Sequence, residues 1–208
     1  MTQPRFITLE GGEGAGKSTQ AKRLAAGLIE RGHRVTLTRE PGGAPGAEVI
    51  RDLLVTGETG RWAPLAETLL HFAAREEHLA HTIRPALARG DWVICDRFVD
   101  STFAYQGAAQ GLQREAIAAL SKIVVGGDMP GLTLILDLPV DTGLSRAHKR
   151  GGEDRYERMG VAFHETLRQA FLDIAEAQPE RCTIIDAAKG EDDVARQIWH
   201  SVTSRLPV

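Results

Sequence analysis

The chain has 208 residues, which is the length of one ordinary domain. Hydrophobic residues make up 42% of it and charged residues 25%, and these values exclude a disordered or collagen-like chain. Lys and Arg number 25 against 28 for Asp and Glu, and the net charge of -3 excludes the strongly basic surface of a general nucleic-acid binder. We therefore expect a single globular domain over residues 1–208 with no nucleic-acid partner.

Cysteine content and hydropathy point to an ordinary intracellular chain. The two cysteines, Cys95 and Cys182, are too few for a disulfide scaffold or a four-thiolate zinc site. Both lie in apolar runs, where we expect buried thiols. No basic region followed by an apolar stretch opens the sequence, and its apolar runs are far shorter than the roughly 20 residues of a membrane span. We expect a cytoplasmic protein without a membrane partner.

Five short apolar segments alternate with longer helical patterns. Run-on apolar character, rather than strict alternation, favours strands that are buried on both faces of a parallel sheet. The predicted strands cover residues 6–9, 35–38, 92–95, 132–136 and 182–185. The alternation predicts an α/β fold, a three-layer sandwich around a five-stranded parallel sheet.

Helical periodicity fills the gaps between these strands. The first gap has apolar residues at i, i+3, i+4 and i+7, namely Ala21, Leu24, Ala25 and Leu28. Gly32 is placed to end that helix. The longest helical patterns cover residues 64–88 and 160–177. In such folds the ligand crevice lies beyond the carboxyl ends of the strands, so the residues that follow each strand are the candidate site.

A complete phosphate-binding motif follows the first strand. Residues 11–18 match G-x-x-x-x-G-K-[ST] between a strand and an amphipathic helix. Backbone N–H groups of the loop and the positive helix N-terminus converge on phosphate oxygens. Lys17 is predicted to reach the β- and γ-phosphates, and the Ser18 hydroxyl to ligate Mg²⁺. The nucleotide-binding residues predicted are Gly11, Gly12, Glu13, Gly14, Ala15, Gly16, Lys17, Ser18 and Thr19.

The motif indicates a nucleoside triphosphate with Mg²⁺, but it does not determine the reaction. The chain contains no asparagine, so the Asn-Lys-x-Asp motif of guanine-reading GTPases is absent. No predicted strand ends in an apolar run followed by Asp-Glu, which disfavours a motor ATPase. A kinase of a small acceptor fits best, and a non-catalytic nucleotide-dependent switch is the alternative from another class.

Two arginines follow neighbouring strands and could hold a small anion. Arg97 comes directly after the third strand, where Asp96 can hold it or the metal ion. Arg39 ends the second strand beside a Pro-Gly-Gly turn. Together they predict a clamp for a monophosphate. On the long helix, Phe72 and Arg75 share a face that could stack on a base, although Phe72 also continues an apolar stripe with Leu65 and Leu69.

Five segments occur in an order that resembles the bacterial thymidylate kinases. They are residues 13–19, 38–43, 70–75, 96–107 and 154–157, and the likeness runs from about Phe6 to the C-terminal helix. The resemblance implies a nucleoside monophosphate kinase-like P-loop fold. It also implies transfer of a phosphoryl group from ATP to dTMP with Mg²⁺, and a homodimer. The remaining alternative within the kinases is a different small acceptor.

The resemblance also assigns roles to residues. Phe72 would stack on thymine and Arg75 would donate to its O4. Tyr105 would pack under the deoxyribose, and Glu13 would lie near the 3′-hydroxyl. Further roles fall on Arg39 and Arg97 at the dTMP phosphate, Ser101 and Gln106 in the base pocket, Ser18 and Asp96 at the metal, and Ala187 at the adenine.

A basic segment at about residues 146–158 is predicted to be a lid. Arg146, Lys149, Arg150 and Arg155 surround Gly151 and Gly152, and the glycine pair favours a hinge. The alternative is a solvated helix end. Family members whose phosphate loop lacks an arginine supply one from the lid, and the loop here carries Glu13 instead. Both Arg150 and Arg155 are candidates for contact with the transferred phosphoryl group.

Overall fold

The fold was analysed in a computed structural model that describes residues 2–151 and 155–208. Gly152 of the predicted hinge and Asp154 of the last family-like segment lie outside the described residues. Within the described ranges, no helix is long and apolar enough to cross a membrane.

All five predicted strands are present and form one parallel sheet. Their order across the sheet is β2-β3-β1-β4-β5, so the first strand lies at the centre. The strands are β1 (Thr2–Glu10), β2 (Val35–Arg39), β3 (Trp92–Asp96), β4 (Met129–Asp137) and β5 (Cys182–Asp186).

Helices cover both faces of this sheet, which confirms the predicted α/β sandwich. Two π-helical segments extend helices along the chain, Leu79–Ile83 between α3 and α4 and Phe103–Ala109 after α5. The helices of the described residues are α1 (Lys17–Ile29), α2 (Pro45–Val55), α3 (Pro64–His78), α4 (Arg84–Ala88), α5 (Val99–Thr102), α6 (Arg114–Val124), α7 (Val140–Arg150), α8 (Val161–Ala177) and α9 (Glu191–Arg205).

Alternate residues of the central strand build the two halves of the core. Ile7 and Leu9 pack toward α1 and α9, whereas Phe6 packs toward α3 and α5. The four apolar positions predicted for α1 are buried, and the helix ends at Ile29, shortly before Gly32 in the left-handed region. Burial of each of the two leucines, Leu24 and Leu28, stabilises the fold by about 1.5–3 kcal/mol, and burial of each alanine methyl by less. Cys95 and Cys182 are buried, as predicted.

The apolar stripe predicted on α3 does not form a continuous core contact. Phe72 is buried, but Leu65 and Leu69 are 50% and 49% exposed. Phe72 is thus part of the core, as the stripe indicated, whereas the two leucines of the stripe lie largely at the surface.

Strand register brings the predicted site residues to one edge. Arg39 and Leu9 both pair with Asp96, and Asp137 pairs with Asp186 at the same edge. The carboxyl ends of the five strands thus lie within about three residues of one another, and β4 and β5 extend furthest. Side chains and loops that follow the strands must share one crevice.

Two glycines allow the loop after β1 to touch the start of α7 backbone to backbone. A Cβ on Gly14 would lie 2.0 Å from the carbonyl oxygen of Gly143, and a Cβ on Gly143 would lie 2.4 Å from that of Glu13. Neither distance is possible for a side chain. Glycine at both positions therefore fixes the loop against this helix.

Candidate active site

Glycines allow the backbone conformation of the phosphate loop, and the Lys17 side chain bonds back to two carbonyl oxygens of that loop. Gly16 has a φ of 88°, in the left-handed region, and immediately precedes α1. The Lys17 ammonium group donates to the carbonyl oxygens of Gly12 at 2.7 Å and Gly11 at 3.1 Å. Burial, together with the nearby Arg97, lowers the pKa of Lys17 to about 8. The loop and the N-terminus of α1 open onto a cleft, lined by Glu13, Gly14, Gly16, Lys17, Ser18 and Thr19.

Two oxygen-bearing side chains, Ser18 and Asp96, lie together in the wall of this cleft. The Ser18 hydroxyl donates to the Asp96 carboxylate, which ends β3. Mg²⁺ prefers oxygen ligands and is commonly held by one or two protein groups together with substrate phosphates. Ser18 and Asp96 fit that ion, as the sequence predicts.

Arg97 has a strained backbone and links the loop to the next cavity. Its φ of 70° is the only positive φ of a non-glycine among the described residues. Its guanidinium donates to the carbonyl oxygen of Gly11 at 2.9 Å and to the Glu13 carboxylate at 2.7 Å. Such strain is typical of functional sites and persists only where neighbouring contacts hold it.

Glu10 is one of those contacts, and the motif analysis did not identify it. This fully buried carboxyl accepts the Phe98 backbone N–H at 2.7 Å and the Ser101 hydroxyl at 2.6 Å. It therefore fixes the backbone directly after Arg97. Its sequence signal was weak, because an acid that ends a strand before a phosphate loop is indistinguishable from a phosphate-loop or metal-site residue.

Glu13 is held as an anion at the boundary between the cleft and the acceptor side. Burial raises its pKa, but Arg97 and Lys17 outweigh that effect and the net pKa is about 2. The Tyr105 hydroxyl also donates to it, at 2.5 Å. A carboxylate of this pKa is a poor proton acceptor near neutral pH, so it acts through its charge and its hydrogen bonds.

A second cavity lies next to the cleft on the β2–β3 side. It encloses about 530 Å³ of space, its open mouth included. Six predicted site residues line it, namely Glu13, Arg75, Arg97, Ser101, Tyr105 and Gln106. The structure thus brings together most of the predicted acceptor side.

Two predicted acceptor residues lie elsewhere. Phe72 is 2% exposed and packs against the Arg75 guanidinium, with 4.9 Å between that group and the ring centroid, but it is not part of the cavity wall. Arg39 lines the phosphate cleft, not the cavity, and donates to Glu48 at 3.0 Å. His71 and Phe98, which the sequence did not suggest, occupy the wall instead.

Arg51 is another residue that sequence reasoning missed. It lies on α2, donates to the carbonyl oxygen of Pro41 at 2.6 Å, and lines both the cavity and the cleft. In the sequence, Arg51 stands out only because it lies on the first helix after the Pro-Gly-Gly turn. Nothing in the local residue spacing distinguishes it from an ordinary surface arginine.

The structure separates the two lid arginines. Arg150, at the end of α7, lines the phosphate cleft and contacts Glu157. Arg155 is 1% exposed and donates to the carbonyl oxygen of Leu54 at 3.0 Å and to the Glu67 carboxylate at 2.5 Å. All of its guanidinium nitrogens have protein partners, and it lies outside the cleft. The prediction that Arg155 contacts the phosphoryl group therefore disagrees with its position.

Glu67 is the partner that holds Arg155, and sequence reasoning did not identify it. This buried carboxylate also accepts from Gln106 at 2.8 Å, Gln110 at 2.7 Å and the Tyr156 hydroxyl at 3.0 Å. Glu67 thus joins the wall of the cavity to the segment that carries Arg155 and Tyr156.

On the side where the sequence predicts the adenine, Arg146 donates to the carbonyl oxygen of Ala187 at 3.3 Å, and Ala187 itself is buried.

Fold and site together define a class. A phosphate loop and an arginine-rich cavity stand side by side at the carboxyl edge of a parallel sheet of order 2-3-1-4-5. This is the arrangement of a P-loop kinase with a nucleoside monophosphate kinase-like fold.

Comparison with known proteins names the family within that class. The thymidylate kinase family model matches residues 9–198. The chain is 56% identical over 206 residues to a thymidylate kinase of Caulobacter vibrioides, covering 99% of both chains. It is 55% identical to a thymidylate kinase of Pseudomonas putida strain GB-1, covering 93% of this chain and 92% of that one. The chain belongs to the thymidylate kinase family.

A solved structure agrees with this assignment. The crystal structure of thymidylate kinase from Ehrlichia chaffeensis superposes with a TM-score of 0.77 at 34% identity. The match covers 97% of this chain and 98% of that chain. The family resemblance and the fold class expected from the sequence are both confirmed.

The buried Glu10 generates a prediction about stability and pH. Burial, and then the nearby Asp100 carboxylate, raise the pKa of Glu10 from 4.5 to about 8. Between these values the folded protein holds a proton that the unfolded chain releases, so the contribution of Glu10 to stability falls as pH rises. We expect the Glu10→Gln variant to gain stability relative to the unmodified protein between about pH 5 and about pH 8. Urea unfolding of both proteins at the two pH values measures this.

Glu58→Gln is the control for that experiment, because Glu58 is exposed. Its stability difference from the unmodified protein should be the same at both pH values. A Glu10→Gln difference that is equally independent of pH would contradict the raised pKa.

Proposed function

We propose that the protein transfers the γ-phosphoryl group of ATP to dTMP and releases dTDP and ADP. The observation that carries this proposal is the wall shared by the phosphate cleft and the acceptor cavity. That wall consists of Glu13, Glu40, Arg51, Val55 and Arg97. A phosphate bound in the cavity would therefore lie next to the end of a triphosphate bound in the loop.

The transfer depends more on the positions of the two reacting phosphates and on stabilisation of their charge than on a general base. An oxygen of the dTMP phosphate forms the new bond to the γ-phosphorus, and the bond to the β–γ bridging oxygen breaks. A monophosphate loses its second proton near pH 6, so the attacking oxygen is already ionised. Lys17 and Arg97 offer positive charge on either side of the transferred group, which is the main contribution proteins make to this reaction. The pKa of Arg97 is raised because Glu13 and its other neighbours outweigh the effect of burial, so it stays charged.

Ser18 and Asp96 are proposed to hold Mg²⁺, which when bound neutralises charge on the β- and γ-phosphates. Glu13 is proposed to orient Arg97 and Tyr105 rather than to move a proton, because both donate to it. The backbone of Ala187 is proposed to border the adenine. A requirement for ATP supports the cytoplasmic location expected from the sequence.

The base is proposed to be read by Arg75 from the cavity wall. Nη1 of Arg75 has no hydrogen-bond partner among the described residues. A thymine O4 would accept from it, whereas the amino group of cytosine would present a donor to a donor. Phe72 lies behind Arg75 here, so its proposed stacking on the base needs the aromatic ring to enter the cavity when the nucleotide binds.

The acceptor prediction is tested by an ADP-release assay with ATP, Mg²⁺ and a series of monophosphates. We expect dTMP to be the best substrate. Loss of one methyl group should lower kcat/KM for dUMP by about 10- to 200-fold, and the donor clash should lower that for dCMP further, toward about 10⁴-fold. Lys17→Ala should abolish release with every acceptor while the fold remains intact.

Two outcomes would change the proposal. Release with a different acceptor and not with dTMP would indicate a P-loop kinase of another specificity. A folded protein that binds ATP but responds to no acceptor would indicate the non-catalytic switch.

The lid, residues 146–158, is proposed to bring Arg150 to the transferred phosphoryl group. Arg150→Ala should lower kcat by about 10³- to 10⁵-fold, the range for an arginine at such a transition state, with little change in melting temperature. Arg155→Ala should instead lower the free energy of unfolding by about 3–5 kcal/mol, because Glu67 loses its buried counter-charge. Steady-state kinetics and thermal melts separate the two effects.

Arg158→Ala is the matched control in the lid, since Arg158 is exposed and its guanidinium contacts only the carbonyl of Gly57 among the bonds described. It should leave both kcat and stability nearly unchanged. If Arg155→Ala lost kcat as Arg150→Ala does, without loss of stability, the assignment of the two arginines would be reversed.

A homodimer is proposed on the apolar face of α2 and α3. These helices pack against each other, and their exposed apolar residues are Val49, Leu53, Leu65 and Leu69. Contiguous exposed apolar side chains mark protein interfaces. Sedimentation should give twice the chain mass of 22.6 kDa, and Leu69→Glu should halve it. Ile29→Glu, an equally exposed position on α1, should not; a monomeric unmodified protein would refute the dimer.

A further inference from the structure

One buried ion pair of the protein takes no direct part in the proposed transfer. Asp100 in α5 and Arg181, directly before β5, are 2% and 5% exposed. Nη1 and Nη2 of Arg181 donate to the two carboxylate oxygens of Asp100 at 2.8 and 2.9 Å. Neither side chain lines the phosphate cleft or the acceptor cavity. The pair thus joins two segments that lie 81 residues apart in the chain, away from both ligand sites.

Arg181 is fixed to the sheet through its side chain and its backbone. Nη1 also donates to the Thr133 hydroxyl of β4 at 2.5 Å, and that hydroxyl lies 2.8 Å from the hydroxyl of Thr8 in the central strand. Nε and Nη2 donate to Oε1 of Gln178 at 3.1 and 2.9 Å. The carbonyl oxygen of Arg181 accepts the backbone N–H of Thr133 at 2.9 Å. Every nitrogen of the guanidinium therefore has a partner, and the group offers Asp100 a fixed pair of donors.

The first turn of α5 depends on contacts of this kind. The turn begins at Val99, and Phe98 before it supplies no capping hydrogen bond. The first turn of a helix contains N–H groups without helical partners, and it frays unless other contacts hold it. Arg97, two residues before the turn, has a φ of 70°, and such a conformation persists only where the surroundings impose it.

Two buried acidic side chains hold the turn. Glu10 of β1 accepts the Phe98 backbone N–H and the Ser101 hydroxyl. Asp100 belongs to the turn itself and is held by Arg181. Two parallel hydrogen bonds between a guanidinium and a carboxylate fix orientation as well as distance. The turn is therefore held at two points, which are connected to different strands of the sheet.

The position of this turn affects the Arg97 guanidinium in two ways. Nη1 of Arg97 donates to the Ser101 hydroxyl at 3.3 Å, so the turn supplies a partner to the guanidinium. The turn also holds the backbone that follows Arg97, and a released backbone can relax to negative φ and move the side chain. A buried ion pair is often no more stabilising than apolar side chains of similar volume, so stability alone does not account for one at this place.

We propose that Asp100 and Arg181 are positioning residues for the transfer, because their ion pair fixes the first turn of α5 and thereby the Arg97 guanidinium at the acceptor phosphate. This inference rests on the proposed function and deepens it. It concerns the phosphate of the acceptor and not its base. The acceptor site then depends on the segment before β5, which lines neither the cleft nor the cavity.

The test replaces the ion pair by apolar side chains and so separates position from stability. The Asp100→Leu/Arg181→Met double variant leaves neither charge buried without its partner, and we expect its melting temperature to stay close to that of the unmodified protein. Its kcat/KM for dTMP should fall about 10- to 100-fold, as for a small displacement of a catalytic group, while KM for ATP is unchanged. The Kd for dTMP should rise about tenfold, but the Kd for thymidine, which lacks the phosphate, should not change.

Arg181→Lys is the second variant, because it keeps the charge but cannot form two parallel hydrogen bonds. It should show the same loss of kcat/KM for dTMP as the double variant. The Arg84→Met/Asp128→Leu double variant is the matched control. It removes an ion pair of 2.8 Å between α4 and the residue before β4, which also lines neither the cleft nor the cavity. It should leave all of these constants unchanged.

Each outcome decides a different point. A folded Asp100→Leu/Arg181→Met protein that keeps its kcat/KM for dTMP would overturn the proposal, and so would equal losses of affinity for dTMP and thymidine. If that variant does not fold, full activity of Arg181→Lys would refute the positioning role. An unmodified protein without turnover of dTMP would refute the proposed function, and this inference with it. A loss confined to dTMP, absent from the control, would support both.

Discussion

The ion pair between Arg97 and Glu13 is the interaction on which the site depends, because both residues lie in the wall between the phosphate cleft and the acceptor cavity. Arg97 leaves the central part of the sheet in the left-handed region, a conformation that costs about 1–3 kcal/mol for a residue with a side chain. Glu10 holds the backbone that follows it, and Glu13 holds its guanidinium. The strain is therefore offset by buried hydrogen bonds, and the result is a cation that faces both the phosphate loop and the acceptor cavity.

Three buried acidic side chains organise the surroundings of the site. Glu10, Glu40 and Glu67 are each nearly inaccessible, and each holds side chains from elements far apart in sequence. A buried carboxyl group is costly unless it is hydrogen-bonded, and the charged ones, Glu40 and Glu67, also need a cation, so each of these acids favours one arrangement of its neighbours. The thymidylate kinase family fold supplies the crevice, and these acids hold side chains that line it, namely Arg75, Ser101 and Gln106.

The sequence was sufficient for the fold and for the phosphate side of the site. Apolar runs predicted all five strands, and a contiguous motif predicted Lys17 and Ser18, because strand burial and phosphate loops leave local patterns. Arg51 and Glu67 left none, and Glu10 had only its position at the end of a strand, since the roles of all three arise from contacts between distant segments. Phe72, Leu65 and Leu69 show the same limit: a helical stripe gives the face of a residue, but only the packing of the folded chain decides which members of the stripe are covered. For Arg155, the family-like segment gave the place in the chain. The direction of its side chain, away from the cleft, follows from its ion pair with the buried Glu67.

The glycine contact between the phosphate loop and α7 sets the distance from the loop to the later residues of that helix. Gly143 touches the loop, and Arg150 ends the same helix two turns later, about 10 Å along its axis. The position of Arg150 relative to the loop is thus set by the number of residues in this one helix. Insertion of a single residue between them would rotate Arg150 by about 100° away from the cleft, whereas insertion of a full turn would return its direction but overshoot by about 5 Å. The length of this segment is therefore constrained as tightly as the identity of the residues at its ends.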